Sequence, residues 1–332
     1  MSFILYKNIL VNIIMLYFQA KTKEELSKLH DSAFKDASKA TKTTFFQSLK
    51  RIEKIYDKPL PELKLEFVND PDKFMDTLNA SKYSENTKLT TLTCILKLLK
   101  LIDVPLMTYN AWLTLLKDKT EQRQQRDDRN LIARLKVLLD YKDIKMMVYG
   151  DATKYYKGIE DFDDYRNFMI LAFFTLQIPV RVSNYVGMKV VDDEAFIEDE
   201  GNYILVNDDE YKFVFNKYRT SHILGKKEML IHDKTLRYLI DKWLSHYNKE
   251  SNNFLIVAPE NKRAMTGKQL EEAIRLSSEK VFKTPLSIDN IRASYMRRIS
   301  ELDPDFQDKL DIANILGYSS TAVLDKHSVK EV

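Results

Sequence analysis

At 332 residues, with 44% hydrophobic and 30% charged residues, the chain reads as a soluble globular protein with room for two domains, each able to bury its own core. Its 7 Gly and 8 Pro argue against a turn-rich all-β architecture and for mostly helix. A formal net charge of +3 permits nucleic-acid binding without arguing for it, because acidic runs at 160–164, 192–194 and 208–210 can offset a basic face elsewhere. The lone Cys94 excludes an internal disulfide and a cysteine-rich zinc site; within the apolar run 92–96 it reads as core.

The first segment, 1–21, is an apolar extension. Its run from Ile9 to Phe18, broken by Asn12 and preceded by Lys7, is too short and too polar to span a bilayer, and reads as a docking helix or a peripheral extension rather than a signal peptide. From Thr22 to about residue 120 the periodicity is helical. Leu89, Leu92, Ile95, Leu96, Leu99 and Ile102 recur at three- and four-residue steps, with Asn86 or Thr87 as candidate caps and Pro105 as the stop. Shorter helices are expected around 45–56 and 71–78, so 22–120 reads as a small helical bundle. The polar stretch 117–129 is either an exposed linker or the solvated side of a helix, and the domain boundary is placed within it.

The second domain, 121–332, begins helical and changes character near Gly201. Residues 202–206, 212–215 and 228–231 are short β-type runs, expected to form a three-stranded antiparallel sheet. Helical patterns surround them at 165–176, 234–247, 266–281, 288–301 and 308–316. The fold class is therefore mainly α with a small antiparallel β-sheet.

Two arginines stand out. Arg181 lies in Ile178-Pro-Val-Arg-Val-Ser-Asn184, after an apolar helical run, and Arg292 in Ser287-Ile-Asp-Asn-Ile-Arg292. Two planar guanidinium forks can grip the non-bridging oxygens of one phosphodiester. Between them lies the hairpin segment Asn216-Lys-Tyr-Arg-Thr-Ser221, and after them Leu316-Gly-Tyr-Ser-Ser320. Taken singly, each has a bland reading: a surface arginine, a charged hairpin, a helix cap at Asp289, solvated charges at Arg297 and Arg298. Their order and spacing form the stronger signal.

Together these segments resemble the catalytic domain of the tyrosine recombinases, the phage-integrase family, over about 162–329. The helical first domain has the size and place of that family's core-binding domain. The resemblance implies a C-shaped clamp on duplex DNA and phosphodiester transesterification through a 3′-phosphotyrosine, without metal or nucleotide cofactor. It implies that Arg181 and Arg292 hold the scissile phosphate and that Tyr318, where the family has His or Trp, adds a hydrogen bond. It further implies a lysine acid on the hairpin, here assigned to Lys217, with Arg219 in the slot directly before the threonine as a phosphate or groove contact. Asp289 occupies the position of the family's second-box His, and Arg297 and Arg298 extend the positive charge toward DNA.

The family's nucleophilic tyrosine follows nine residues after the Tyr318 position, and that place holds His327; no tyrosine lies after Tyr318. Moving Tyr318 into the nucleophile's role would break the Leu-Gly-x-Ser match. The expected function is a site-specific recombinase or integrase, of the kind found in viruses and mobile elements, that is inactive as written if His327 cannot replace tyrosine. The alternatives are a catalytically dead DNA-binding protein of the same fold, a type IB topoisomerase-like enzyme, or a helical interaction protein. The expected partners are double-stranded DNA and further copies of the chain, as a dimer or tetramer, with no membrane. A reducing compartment such as cytoplasm, nucleus or virus factory fits the cysteine usage.

Overall fold

The computed structural model describes residues 39–58, 66–102, 104–208, 210–246, 253–258 and 263–327. The apolar run before Thr22 and the residues after His327 lie outside them. The chain divides into two compact units, Met1–Arg129 and Asn130–Val332.

In the first unit α1 (Lys39–Tyr56), α2 (Glu66–Asn69), α3 (Pro71–Ala80), α4 (Glu85–Ile102) and the start of α5 (Leu106–Val137) enclose one core. Asp70 caps α3 by accepting the Lys73 N–H at 3.0 Å, and Pro71 occupies the first turn, where its missing N–H costs nothing. Leu92, Ile95, Leu96 and Leu99 of the apolar stripe of α4 are buried as their spacing predicts and Leu89 is half-buried, but the cap is Ser84, whose Oγ accepts the Thr87 N–H at 3.3 Å; neither Asn86 nor Thr87 has that role. Trp112 anchors the bundle, packing against Phe67 and Phe74 and donating its indole N–H to the Val68 carbonyl at 3.0 Å. The polar stretch 117–129 is helix. It lies inside α5, supported by i,i+4 pairs such as Arg123–Asp127 and Gln124–Asp128, and the division between units falls within this helix.

The second unit is centred on α7 (Phe162–Thr175), which is buried almost all round and packs beside α6 (Tyr141–Ala152). Asp161 caps α7, accepting the N–H groups of Asp163 and Asp164. The sheet has four strands in the order β1 (Lys189–Val191), β2 (Asn202–Val206), β3 (Tyr211–Phe215) and β4 (Lys227–Leu230). The β2–β3 and β3–β4 pairs are antiparallel as expected, but β1 joins parallel to β2, so the sheet is mixed. Three residues are too few for β1 to show a readable alternation. A short helix, α8 (Ser221–Leu224), lies in the β3–β4 connection.

Beyond the sheet come α9 (Lys234–His246), α10 (Gly267–Phe282), α11 (Ile288–Leu302), α12 (Phe306–Leu316) and α13 (Ala322–Asp325). Trp243 of α9 donates to the Leu255 carbonyl at 2.7 Å, tying the helix to the following segment. Thr266 and Gln269 form a reciprocal capping box on α10. The cap of α11 is Ser287, which accepts the Asn290 N–H at 3.2 Å; Asp289, read from the sequence as the cap, lies instead in the first turn.

Candidate functional site

Arg292 enters the interior of the second unit from the first turns of α11, between buried Ile291 and Ala293, and is itself only 4% exposed. Its guanidinium meets carbonyls and a phenol. Nη1 donates to Pro179 O at 2.5 Å, and Nη2 donates to Leu316 O at 3.1 Å and to Tyr318 Oη at 3.4 Å. One arginine therefore joins the segment before Arg181 to the turn after α12.

That turn has a definite origin. Gly317 ends α12 at φ 87°, a left-handed conformation open to glycine at little cost. Gly317 N–H returns to Asn314 O at 3.0 Å, and Tyr318 N–H to Ala313 O at 2.8 Å, which is the Schellman pattern. The chain is reversed there, and Tyr318 is presented to both arginines. The guanidinium carbons of Arg181 and Arg292 lie 5.7 and 5.8 Å from its ring centroid.

Arg181 is half-buried and leads into a 3-10 turn, Val182–Asn184, flanked by buried Val180 and Val182. Its buried Nε has no hydrogen-bond partner, and neither has Asn184 Oδ1. Burial, and then repulsion from Arg292 and Arg219, pulls the Arg181 guanidinium below its ordinary pKa; Asp289 acts in the opposite direction. It remains a cation. No carboxylate of the described residues forms an ion pair with Arg181 or Arg292. The result is a concentrated, uncompensated positive charge beside a phenolic hydroxyl.

The hairpin closes the other side. Buried Asn202 donates to Asn184 O at 2.8 Å and to Lys217 O at 2.9 Å, while its Oδ1 accepts the Lys217 N–H at 2.8 Å. One side chain thus ties the Arg181 turn to the hairpin, a positioning role that the sequence alone did not signal. Thr220 Oγ1 reaches Gly317 O at 3.4 Å. Lys227 of β4 donates to Asn314 O and lies over the Tyr218 ring at 4.3 Å. Burial lowers the Lys227 ammonium to about 8.

The other hairpin lysines have different surroundings. Lys212 is buried among Glu194, Glu210 and Glu228, and Lys226 pairs with Glu228 at 2.6 Å. The side chains of Lys217 and Arg219 are exposed. Arg297 and Arg298 of α11 both reach Glu301, at 2.8 and 3.7 Å. His327 follows α13, which packs on α11 and α12; it is 8% exposed, and its Nδ1 lies 2.7 Å from Val323 O. That contact makes Nδ1 the protonated nitrogen in the neutral ring and leaves the lone pair on Nε2.

Among solved structures, the chain is similar to the XerH site-specific recombinase bound to palindromic difH substrate in a post-cleavage complex, with 13% identity, TM-score 0.58, and coverage of 96% of this chain and 84% of that one. It is similar also to XerH in its pre-cleavage difH complex, with 12% identity, TM-score 0.54, and coverage of 96% and 85%. The fold is that of the site-specific recombinases. The XerA recombinase aligns over 98% of this chain and 94% of its own at 12% identity, with a TM-score of 0.39. No family model matches the sequence, and no curated protein does. At such identities the recombinase fold is what the likeness establishes; no helix of the described residues is long and apolar enough to cross a membrane.

Proposed function

We propose that the chain binds duplex DNA and holds one phosphodiester between Arg181 and Arg292, as a recombinase-type subunit whose grip on the strand has been kept while its cleaving nucleophile has been replaced by His327. The observation that carries this reading is the pair of buried or half-buried guanidiniums with no carboxylate partner among the described residues. Leaving such charges uncompensated costs several kcal/mol by rough measure, and a bound phosphate with two non-bridging oxygens removes that cost. Tyr318 adds a donor beside Arg292.

Strand cleavage also needs a proton for the departing 5′ oxygen. Lys227 suits that role better than Lys217. It is tied to the turn that presents Tyr318, and its lowered pKa of about 8 lets it release a proton near neutrality. The setting this reading expects is DNA integration or recombination by a viral or mobile element, with two or four copies of the chain assembled on DNA.

A second reading is favoured by the His327 tautomer. Nε2 attacks phosphorus, the P–O5′ bond breaks, and O5′ takes its proton from Lys227, leaving a phosphoramidate. A nicked suicide duplex separates the two readings on a denaturing gel. The first predicts no covalent adduct from the protein as it stands and an acid-stable adduct from His327→Tyr. An acid-labile adduct from the unaltered chain, lost in His327→Ala, would establish the second and overturn the first. Failure of the chain to bind any duplex would overturn both.

A further inference from the structure

The first unit has a basic notch of its own. It is a cavity of about 70 Å³ lined by Glu85, Lys88 and Leu89 at the start of α4 and by Lys119, Gln122, Arg123 and Arg126 of α5. The four α5 positions recur at three- and four-residue steps, so they form one stripe of that helix. Their charges are not equally committed. Lys88 is held by Glu85 at 2.9 Å and by Asn79 O at 3.3 Å, and Arg123 by Asp127 at 3.1 Å. Lys119 and Arg126 are half-buried and form no ion pair among the described residues.

Glu85 is the one acid of the lining and answers only part of this charge, facing Lys88, Lys119, Arg123 and Arg126; the hydrogen bond from Lys88, and then the charges of Lys88, Lys119 and Arg126, hold its carboxyl below its usual range. A solvated helix face would let two long cationic side chains extend apart into water. Here they converge on a small concave space with a side-chain amide between them in the stripe. The space is well above the ~10–15 Å³ needed to seat one water, and its lining of cations with one side-chain amide suits a phosphate group.

We propose that this notch is a second phosphate-binding site, in which Lys119 and Arg126 take a backbone phosphate of bound DNA and Gln122 donates a hydrogen bond to it. The assignment to DNA rests on the function proposed above; the anion site itself rests on the notch. Because its contacts reach only a phosphate, the site adds affinity and register without reading sequence.

The test is the salt dependence of duplex binding by the full-length protein and by Lys119→Gln/Arg126→Gln. Each phosphate neutralised contributes about 0.9 to the slope of log affinity against log salt. The double variant is expected to show a slope shallower by roughly one and an affinity some 5- to 10-fold weaker at low salt, equally on unrelated sequences. Arg275→Gln serves as a control for bulk charge, since Arg275 is already paired with Glu272 and Glu279; it is expected to leave the slope unchanged. If the wild type binds and the double variant keeps the same slope and affinity, the inference is wrong while the proposed function stands. Equal losses in Arg275→Gln would reduce the effect to net charge and overturn the site. Thermal protection by inorganic phosphate that disappears in the double variant, with an unchanged duplex slope, would make the notch a small-anion site and overturn its assignment to DNA. If the wild type binds no duplex, the proposed function itself fails.

Discussion

The second unit buries cations in two regions and compensates only one of them. At the base of the hairpin, Lys212 meets Glu194, Glu210 and Glu228. At the other end of the hairpin, Arg181, Arg292 and Lys227 meet carbonyls, aromatic rings and one another. The charge type is the same in both regions, and each has a buried member, Lys212 in one and Arg292 in the other. What differs is the anion. Where the chain supplies it, the cation is part of the fold; where the described residues supply none, the proposed function brings the anion from outside.

Substitutions should divide along this line. Arg181→Gln is expected to weaken duplex binding roughly 30- to 100-fold, about 2–3 kcal/mol, while raising stability by about 1 kcal/mol or more, because an uncompensated half-buried charge is removed; binding titrations and chemical denaturation of the same sample read both. Lys212→Ala should do the reverse. It leaves three carboxylates without their cation and costs about 2 kcal/mol of stability, discounted because those partners are partly exposed, with duplex affinity of the folded protein unchanged. A binding loss in Lys212→Ala comparable to that in Arg181→Gln would dissolve the distinction.

Gly317→Ala sharpens the comparison from the backbone side. The space is adequate, with Thr220 Oγ1 at 3.7 Å and Arg181 Nε at 3.8 Å from an added methyl, so the penalty comes from φ 87°. A loss of about 1 kcal/mol is expected, together with weaker DNA binding as Tyr318 shifts. The smallest effect is that of pH. Lys227 is charged below about 8 and neutral above it. Its charge therefore favours phosphate at low pH, and duplex affinity should fall some 3- to 5-fold as pH rises through 8, about 0.7–1 kcal/mol. Lys227→Met should remove that step. A step of the same size in the Met variant would assign it to another group.

Much of this arrangement was legible in the sequence, and the omissions have physical reasons. The apolar period of α4 and the β-runs at 202–206 and 212–215 are local signals, and the structure reproduces them. The segments carrying Arg181, Arg292 and Tyr318 could be singled out by the resemblance of their order and spacing to the tyrosine-recombinase motifs, while each taken alone has a bland reading. Lys227 could not. Beside Lys226 it reads as one more hairpin charge, and only packing against the end of α12 sets it apart. Asn202 was missed for the same reason, since both carbonyls it holds are distant in the chain. In the notch, the α5 stripe repeats within a polar stretch whose composition alone fits a linker, and Glu85 and Lys88 come from another helix.

The central claim is that Arg181 and Arg292 hold one phosphodiester. It is tested most directly by placing single neutral methylphosphonates along a bound duplex and measuring affinity for the wild type and for Arg181→Gln. The account predicts one position at which neutralisation weakens wild-type binding by roughly tenfold or more and has little further effect on the variant, because the two changes remove the same contact. A wild type indifferent to neutralisation at every position, or losses that simply add in the variant at all of them, would contradict it.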